Sequence, residues 1–207
     1  MDASGIHDNC PMPETPQAAT DHRRRLLEAM GRCVAAKGYA ETTMADVVGE
    51  AAVSRRTFYE HFPNKSDCLI ALYKAASHQA LKVLRSAIDP TAPWQAQIEL
   101  ALSAYLGCVG ANPVLLRTLF IEIPGMGPAG LAARRRINQQ LANFMLEVTG
   151  SDATTTPLTP EMAMAVVGGI NELVLQCMER NEVGQLQALV GPASQLVRAA
   201  TQNPLAR

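Results

Sequence analysis

The stretch TMADVVGEAAVSRRTFYEHFPNK, residues 43–65, decides the fold of this chain. Its spacing predicts two short helices joined by a tight turn. Thr43 is an N-cap for the first helix, and Asp46 stands three residues later, at the position of a capping box. Residues 52–54 interrupt the helical pattern. Ser54 then caps a second helix that follows at once.

The second helix has an apolar back and a polar front. Phe58 and Phe62 are four residues apart, so they share one face and are expected to be buried. The other faces carry hydrogen-bonding side chains, namely Arg55, Arg56, Thr57, Tyr59 and His61. Such a helix suits the major groove of DNA. On pattern alone, a helical corner with a solvated, charged outer face is the alternative.

A set of fixed elements extends over residues 26–72. They are Gly38-Tyr39, Thr42-Thr43, Val53-Ser54, Thr57-Phe58-Tyr59, His61-Phe62 and Asn64-Lys65. With these elements, the stretch resembles the DNA-binding domain of the TetR (tetracycline-repressor) family of bacterial transcriptional regulators.

Two positions depart from the usual pattern of that family. Ala52 stands where glycine is frequent in the turn, and Arg56 stands where many members carry a small residue. If residue 52 needs a positive φ, alanine costs about 1 kcal/mol of strain. Arg56 adds a long hydrogen-bond donor close to the bases.

The resemblance implies roles for seven residues at a DNA surface. Base edges are expected to be read by Arg55, Arg56 and Thr57, since arginine pairs bidentately with guanine. Phosphate contacts are expected from Tyr59, His61 and Lys65, the last at the start of a long helix. Thr43 is expected to add a hydroxyl or a backbone amide. For Tyr59 and His61, a packed and partly exposed ring is the alternative.

Composition favours an all-helical protein. Of the 207 residues, 48% are hydrophobic but only 4% are aromatic. The formal net charge of −1 argues against a general nucleic-acid coat. The charge is unevenly distributed, because residues 20–65 hold eight basic and six acidic side chains. The positive excess therefore falls on the predicted DNA-binding domain.

Several classes of protein are disfavoured by what the sequence lacks. No apolar run approaches the roughly 18 residues of a membrane span, and residues 1–20 lack the hydrophobic segment of a signal peptide. We therefore expect a cytoplasmic protein without membrane association. The five cysteines form no CxxC pair, and no zinc-ligand spacing or GxSxG, P-loop or GxGxxG motif occurs. No metal, no cofactor and no enzymatic activity are expected, although one of the cysteines as a redox sensor is an open alternative.

The chain divides into three predicted parts. Residues 1–20 form a disordered tail, residues 21–66 a three-helix DNA-binding domain, and residues 67–207 a helical domain for ligand binding and dimerisation. About nine helices are expected in all. Those outside the helix–turn–helix are predicted at 23–37, 64–87, 94–109, 113–123, 131–148, 160–180 and 184–201, the last with a bend at Gly191-Pro192.

The predicted helix at 160–180 is apolar on nearly all sides from Met162 to Met178. Such a helix needs covering on more than one face. By resemblance, it and the last helix are expected to form a four-helix bundle with a second copy. The residues expected at this interface are Val167, Gly168, Val174, Leu186, Leu189, Val190, Ala193, Leu196 and Val197. A core helix in a monomer is the alternative.

The C-terminal domain is expected to hold an effector pocket with few charges, and hence an apolar or mixed ligand. Glu122 or Asn171 is available to orient such a ligand. The residues expected to line the pocket are Trp94, Tyr105, Cys108, Phe120, Glu122, Met126, Phe144, Met145, Met162, Val166 and Asn171. Ordinary core packing is the alternative for each of them.

The function implied by the resemblance is that of a ligand-responsive transcriptional regulator. We expect a homodimeric repressor that a small, largely apolar molecule releases from a palindromic operator in double-stranded DNA. An activator, a co-repressor-dependent regulator and a ligand-binding helical protein without operator specificity remain as alternatives.

Overall fold

The computed structural model describes residues 16–89, 91–150 and 157–201, so most of the tail predicted at 1–20 lies outside the described residues. Within those ranges the chain is all-α, as predicted. The nine α-helices are α1 Pro16–Glu41, α2 Met44–Ala51, α3 Arg55–His61, α4 Lys65–Ser86, α5 Trp94–Gly110, α6 Pro113–Arg117, α7 Gly127–Thr149, α8 Pro160–Glu179 and α9 Val190–Thr201.

Helix α1 begins seven residues earlier than predicted, so residues 23–25 lie within the helix and not in its first turn. These three residues are arginines. All three contact the protein itself: Arg24 is paired with Asp21 and Glu28, Arg23 lies over the Phe62 ring, and Arg25 bonds the turn after α2. The predicted break at Gly38 is confirmed by its φ of 78°.

Two helices predicted as continuous change type along their length. After α6, the segment Thr118–Glu122 is a π-helical turn, in which the Ile123 N–H donates to the Thr118 carbonyl. Before α9, the segment Val183–Leu189 is a 3₁₀ helix. The predicted bend at 191–192 is therefore displaced to the junction before Val190. Proline is accommodated in the first turn of α9, where its missing N–H costs no intrahelical bond.

Helix α7 begins at Gly127 and not at residue 131 as predicted. The segment PGMGPAG was expected to be a break throughout, but only Pro124–Met126 forms a separate 3₁₀ turn. Gly130 permits this arrangement, because a Cβ at that position would lie 2.0 Å from the Ile123 carbonyl oxygen. The turn is therefore packed tightly against the first turns of α7.

The core of the N-terminal part, helices α1–α3, includes residues from the C-terminal part. Phe58 of α3 and Leu69 of α4 are fully buried among side chains of α1 and α2. The same cluster contains Ile123, beside the 3₁₀ turn, and Ile137 of α7. These side chains therefore connect α7 with the packing below the helix–turn–helix.

Two further clusters fill the C-terminal part. One lies between α4, α5, α7, α8 and α9 and includes Trp94, Phe144 and Val167. The other joins the ends of α5 and α8 to the 3₁₀ helix around Leu186. Helix α4 contributes to all three clusters, so it is the mechanical link between the two parts of the chain.

Helix α8 has the length and apolar composition of a membrane span. Core helices of globular proteins share both properties, and α8 packs against α7 and α9. Its fully or nearly buried residues are Ala163, Val166, Val167, Ile170, Val174 and Cys177. Burial within one copy of the chain therefore covers 33% of the apolar stretch of this helix.

Candidate DNA-binding surface and effector cavity

The capping box predicted at the start of α2 is confirmed. The Thr43 hydroxyl accepts a hydrogen bond from the Asp46 N–H at 3.2 Å, and the Asp46 carboxylate accepts one from the Thr43 N–H at 2.7 Å. The Lys37 ammonium, 2.7 Å from the same carboxylate, and then the Thr43 hydroxyl hold the pKa of Asp46 well below its usual range. These bonds fix the angle at which α2 leaves α1.

A Schellman motif ends α2 and forms the turn toward α3. The Ala52 N–H donates to the Gly49 carbonyl, and the Val53 N–H donates to the Val48 carbonyl. Ala52 is left-handed, with φ 50° and ψ 50°, so the positive φ considered from sequence is present. The Arg25 guanidinium donates to the Ala52 carbonyl at 2.9 Å and so ties this turn to α1.

We expect Ala52→Gly to stabilise the protein. A left-handed conformation costs an L-residue about 1–2 kcal/mol, and glycine returns about 0.4–1 kcal/mol of this through the entropy of the unfolded chain. The net gain is therefore up to about 1.6 kcal/mol, measurable by denaturant unfolding. As a control, Ala75→Gly on the exposed side of α4 is expected to destabilise by about 1 kcal/mol. If Ala52→Gly and Ala75→Gly lowered the free energy of unfolding equally, the backbone at Ala52 would not be strained.

Helix α3 is held at both its start and its back. The Ser54 hydroxyl accepts a hydrogen bond from the Thr57 N–H at 3.0 Å, which confirms the predicted N-cap. Phe58 is fully buried and Phe62 nearly so, with their ring centroids 5.8 Å apart. The anchors of this short helix are therefore the two residues predicted to be its buried face.

The outer face of α3 presents three side chains that differ in exposure and in ion pairing. Arg55 is exposed, and within the described part of the chain it has no ion-pair partner. Arg56 is exposed but pairs with Glu60 at 3.0 Å, so its charge is partly neutralised. Tyr59 is 57% exposed, with its ring edge-on to Phe58. Among these residues Arg55 has the most freely available guanidinium.

Three other predicted contact residues make bonds within the protein. The Thr43 hydroxyl belongs to the capping box. The Thr57 hydroxyl lies 2.9 Å from the Ser54 hydroxyl. The Lys65 ammonium donates to the Tyr39 and Thr42 carbonyls at 2.9 and 2.6 Å, and lies over the Tyr39 ring. A role in DNA binding remains a prediction for each, alongside an evident structural one.

His61 is a packed, partly exposed ring, which is the alternative that the sequence left open. Its ring is half-buried between α1 and α3, 6.4 Å from the His22 ring and 6.3 Å from the Phe62 ring. Its Nε2 atom is buried without a hydrogen-bond partner among the described residues. The sequence pattern assigned His61 to the outer face, because the tilt of α3 against α1 cannot be deduced from helical spacing.

An apolar cavity of about 50 Å³ lies within the C-terminal part, between α4, α5, α7, α8 and α9. Four of its lining residues were predicted, namely Tyr105, Phe144, Met145 and Asn171. The sequence-based set omitted its other lining residues, Leu84, Ile98, Ala101, Leu102, Leu141, Val167, Ile170 and Val197. Aliphatic residues at helical spacing carry no signal that separates cavity wall from core.

A second cavity of about 30 Å³ shares Tyr105, Leu141 and Asn171 with the first, so the two are neighbours. Its wall is more polar. The remaining lining residues are Tyr73, Ser77, Phe120, Arg134, Ile137 and Asn138. Phe120, predicted for the effector pocket, lies here. Burial raises the pKa of Tyr73 to about 12 and raises that of Tyr105 further.

Six predicted pocket residues line neither of these cavities. Trp94, Val166 and Cys108 are packed within the hydrophobic clusters. Met126 packs against the core of the DNA-binding part, and the Glu122 carboxylate lies beside Gly38 and 3.9 Å from Arg117. Met162 is 47% exposed on α8. These residues were expected to line the pocket, but most of them are packed within the hydrophobic clusters instead.

A larger cleft of about 400 Å³ separates the two parts of the chain. It lies between α1, α4 and α6, with Leu27, Leu72 and Leu115 among its lining residues. Two charged residues on its α1 wall, Glu28 and Arg32, are engaged in ion pairs with Arg24 and Glu50. The smaller apolar cavity is the better enclosed site for a ligand, because it lies between five helices.

The predicted dimer residues fall into two groups. Val167, Val174, Leu186, Ala193 and Val197 are buried within a single chain, so they cannot contact a second copy directly, contrary to the prediction. Gly168, Leu189 and Val190 are partly exposed, and Leu196 is 37% exposed. The surface of α8 and α9 thus offers fewer residues for contact with a second copy than the apolar sequence of α8 suggested.

The described cysteines are free thiols. Burial raises the pKa of Cys68 to about 12 and raises those of Cys33 and Cys177. A thiol held protonated is a poor nucleophile and metal ligand. Among the described residues, no group of three or more histidine, cysteine, aspartate or glutamate side chains could hold a metal ion.

A capped helix–turn–helix at the N-terminus and a helical domain with an internal cavity together define a DNA-binding regulator. Residues 26–72 match the family described as bacterial regulatory proteins, tetR family. Over these residues the chain carries the DNA-binding domain of TetR-family regulators, which are DNA-binding transcriptional regulators and not enzymes.

Solved structures are similar to this chain along nearly its whole length. The fatty acid degradation regulator FadR from Bacillus halodurans has a TM-score of 0.73 at 18% identity, covering 90% of this chain and 96% of its own. FadR from Bacillus subtilis, solved with stearoyl-CoA, has a TM-score of 0.73 at 20% identity, covering 86% and 99%. The multidrug-binding protein EbrR, solved with imidazole, has a TM-score of 0.69 at 18% identity, covering 95% and 99%. At these identities the likeness establishes the fold.

Proposed function

We propose that this regulator is a cytoplasmic homodimeric repressor, released from a palindromic operator by a small, largely apolar effector. The observation that carries the proposal is the outer face of α3, where the exposed side chains of Arg55 and Tyr59 stand on a buried phenylalanine anchor. A helix of this kind can enter the major groove, and its first residues are those that reach base edges.

A homodimer would supply the second recognition helix that a palindrome requires. The surface of α8 and α9 supports this arrangement, since Met162 and Leu196 are exposed large apolar residues on it. Gly168 leaves open space at the same surface, so a second copy can approach the α8 backbone closely. We propose that these residues form the centre of the dimer contact.

Control by a ligand would act through α4. Tyr73, Ser77 and Leu84 of this helix line the two cavities, while Leu69 lies in the core beneath α3. The apolar cavity of about 50 Å³ is well below the roughly 300–1,000 Å³ of typical ligand sites. A ligand must therefore move α4 and α7 apart, which changes the spacing of the two recognition helices. By linkage, DNA and ligand would oppose each other by about 1–3 kcal/mol.

The dimer is tested by Leu196→Glu. Leu196 is 37% exposed in one chain, so covering it gains only about a third of the roughly 1.5–3 kcal/mol of a fully buried leucine. A buried unpaired carboxylate at this position adds a further penalty. We expect the variant to sediment as a monomer and to lose operator affinity while keeping its helical content. Leu131→Glu is the matched control, because Leu131 of α7 is 46% exposed but lies outside this surface. A dimeric Leu196→Glu protein would contradict the proposed contact.

A reporter assay separates a repressor from an activator or a co-repressor-dependent regulator. With a selected operator placed over a promoter, the chain alone should lower expression, and effector should restore it. Raised expression would identify an activator, and repression only with added ligand would identify a co-repressor mechanism.

A further inference from the structure

We infer that the effector is an amphipathic organic acid, with its hydrocarbon part in the apolar cavity and its carboxylate bound by Arg134. This inference rests on the proposed function and names the chemistry of its ligand. It depends on the way the two cavities adjoin and on how their walls differ in polarity.

The two cavities are neighbours that share part of their walls. Tyr105, Leu141 and Asn171 line both, and of these Leu141 is a half-buried aliphatic residue that can change rotamer. Its movement would join the two volumes into one elongated site. Met145 on the next turns of α7 is also adaptable, because its unbranched side chain fits irregular space.

The wall of the joined site changes from polar to apolar along α7. Arg134, Asn138, Leu141 and Met145 are spaced by three or four residues, so they follow one face of the helix. At a rise of about 1.5 Å per residue, this stripe is about 16 Å long. A ligand lying along it would meet a guanidinium at one end and a hydrophobic pocket at the other.

Arg134 is suited to bind an anion. It is half-buried, and among the described residues it makes no ion pair. The described lining of both cavities contains no aspartate or glutamate. A partly buried guanidinium without a counter-charge favours an anionic ligand, and arginine matches a carboxylate with two parallel hydrogen bonds.

Neutral donors beside Arg134 can complete the recognition. The Tyr105 hydroxyl makes no hydrogen bond to any described residue. The Asn171 side chain donates to Asn138 at 3.2 Å and keeps a second N–H for a ligand. Burial holds the Tyr105 hydroxyl protonated, so it can serve as a donor to a carboxylate oxygen.

The test is calorimetric titration of the full-length chain, without DNA, by a series of saturated fatty acids from hexanoate to dodecanoate. Alcohols of the same chain lengths serve as neutral probes. We expect the acids to bind at least about tenfold more tightly than the alcohols, a difference of about 1.4 kcal/mol. In Arg134→Gln this preference should vanish, with alcohol binding unchanged, and Arg134→Lys should recover part of it.

Arg135→Gln is the matched control, since Arg135 is the exposed neighbour of Arg134 on α7. It should keep the full preference for acids. Leu141→Ala should shift the tightest binding toward longer acids, because it joins the two cavities. Thermal unfolding of each variant identifies any loss of folding. If Arg134→Gln does not fold, acid binding by Arg134→Lys still tests the role of the positive charge.

Equal binding of acids and alcohols would overturn the inference, as would loss of the preference in Arg135→Gln. Binding of acyl-CoA thioesters without binding of the free acids would overturn it too, and so would no binding of any acid. Operator binding by the ligand-free protein is measured separately. If the operator binds and the acids do not, only this inference fails. If the acids bind and no operator does, the proposed function fails instead.

Discussion

Arg55→Ala is expected to abolish specific operator binding while leaving the fold intact. A bidentate arginine–base contact is worth about 1–3 kcal/mol of discrimination, and a dimer makes the contact twice. The expected loss is therefore about 2–6 kcal/mol of specific binding free energy. It should be measured by fluorescence anisotropy at fixed salt, because phosphate contacts make affinity depend on ionic strength.

Arg56→Ala provides the internal comparison for this experiment. Arg56 is the next residue of the same helix but is paired with Glu60 at 3.0 Å. Its removal should cost less, since part of its charge is already neutralised within α3. The affinities of the two variants for non-specific DNA should differ little. If Arg55→Ala bound the operator as tightly as wild type, Arg55 would not be the principal reader.

Phe58→Ala is expected to produce the largest loss of stability among single substitutions in the DNA-binding part. Phe58 is fully buried, and phenylalanine-to-alanine changes in protein cores cost about 3–5 kcal/mol. For a chain of this size, each kcal/mol lowers the melting temperature by roughly 2–4 °C. Denaturant unfolding followed by circular dichroism measures the loss.

Tyr59→Ala is the matched control for Phe58→Ala, because the two rings are neighbours with opposite exposure. Tyr59 is 57% exposed, so its removal should change stability little and reduce DNA affinity. Phe58→Ala should reduce both. If Tyr59→Ala were the more destabilising change, the assignment of the two faces of α3 would be wrong.

The helix–turn–helix could be predicted in detail because its determinants are local. Thr43 and Ser54 act within four residues of their partners, and the left-handed turn at Ala52 follows from the C-terminal cap of α2. The buried pair Phe58 and Phe62 follows from helical spacing alone. His61 escaped the same reasoning, because its burial depends on how α3 crosses α1.

The proposed effector cavity was only partly predictable, since it depends on contacts between distant helices. Tyr105 and Asn171 were among the residues expected to line the pocket, and both line the two cavities. Leu141 was missed, because a leucine that divides two cavities has the same spacing as one that fills a core. The change in polarity along α7, from Arg134 to Met145, was present in the sequence as residues spaced by three or four positions.

The dimer surface shows a further limit of hydrophobic patterning. An apolar helix requires cover, but the pattern does not say which chain supplies it. Val174 and Ala193 are covered within one copy, whereas Leu196 remains exposed. Which apolar residues are buried in the core and which stay exposed depends on the angle at which α8 and α9 cross. The sequence of a single helix does not determine that angle.

The central proposal, a paired reader of a palindromic operator, is tested most directly by selecting binding sites from a random pool of double-stranded DNA with the wild-type chain. We predict that the enriched sequences contain an inverted repeat, with half-site centres about one helical turn (10–10.5 bp) or a multiple of it apart. In selection with Arg55→Ala, base preference should be lost at one position in each half-site. Enrichment of a single unrepeated site, or no enrichment by the wild-type chain, would contradict the proposal.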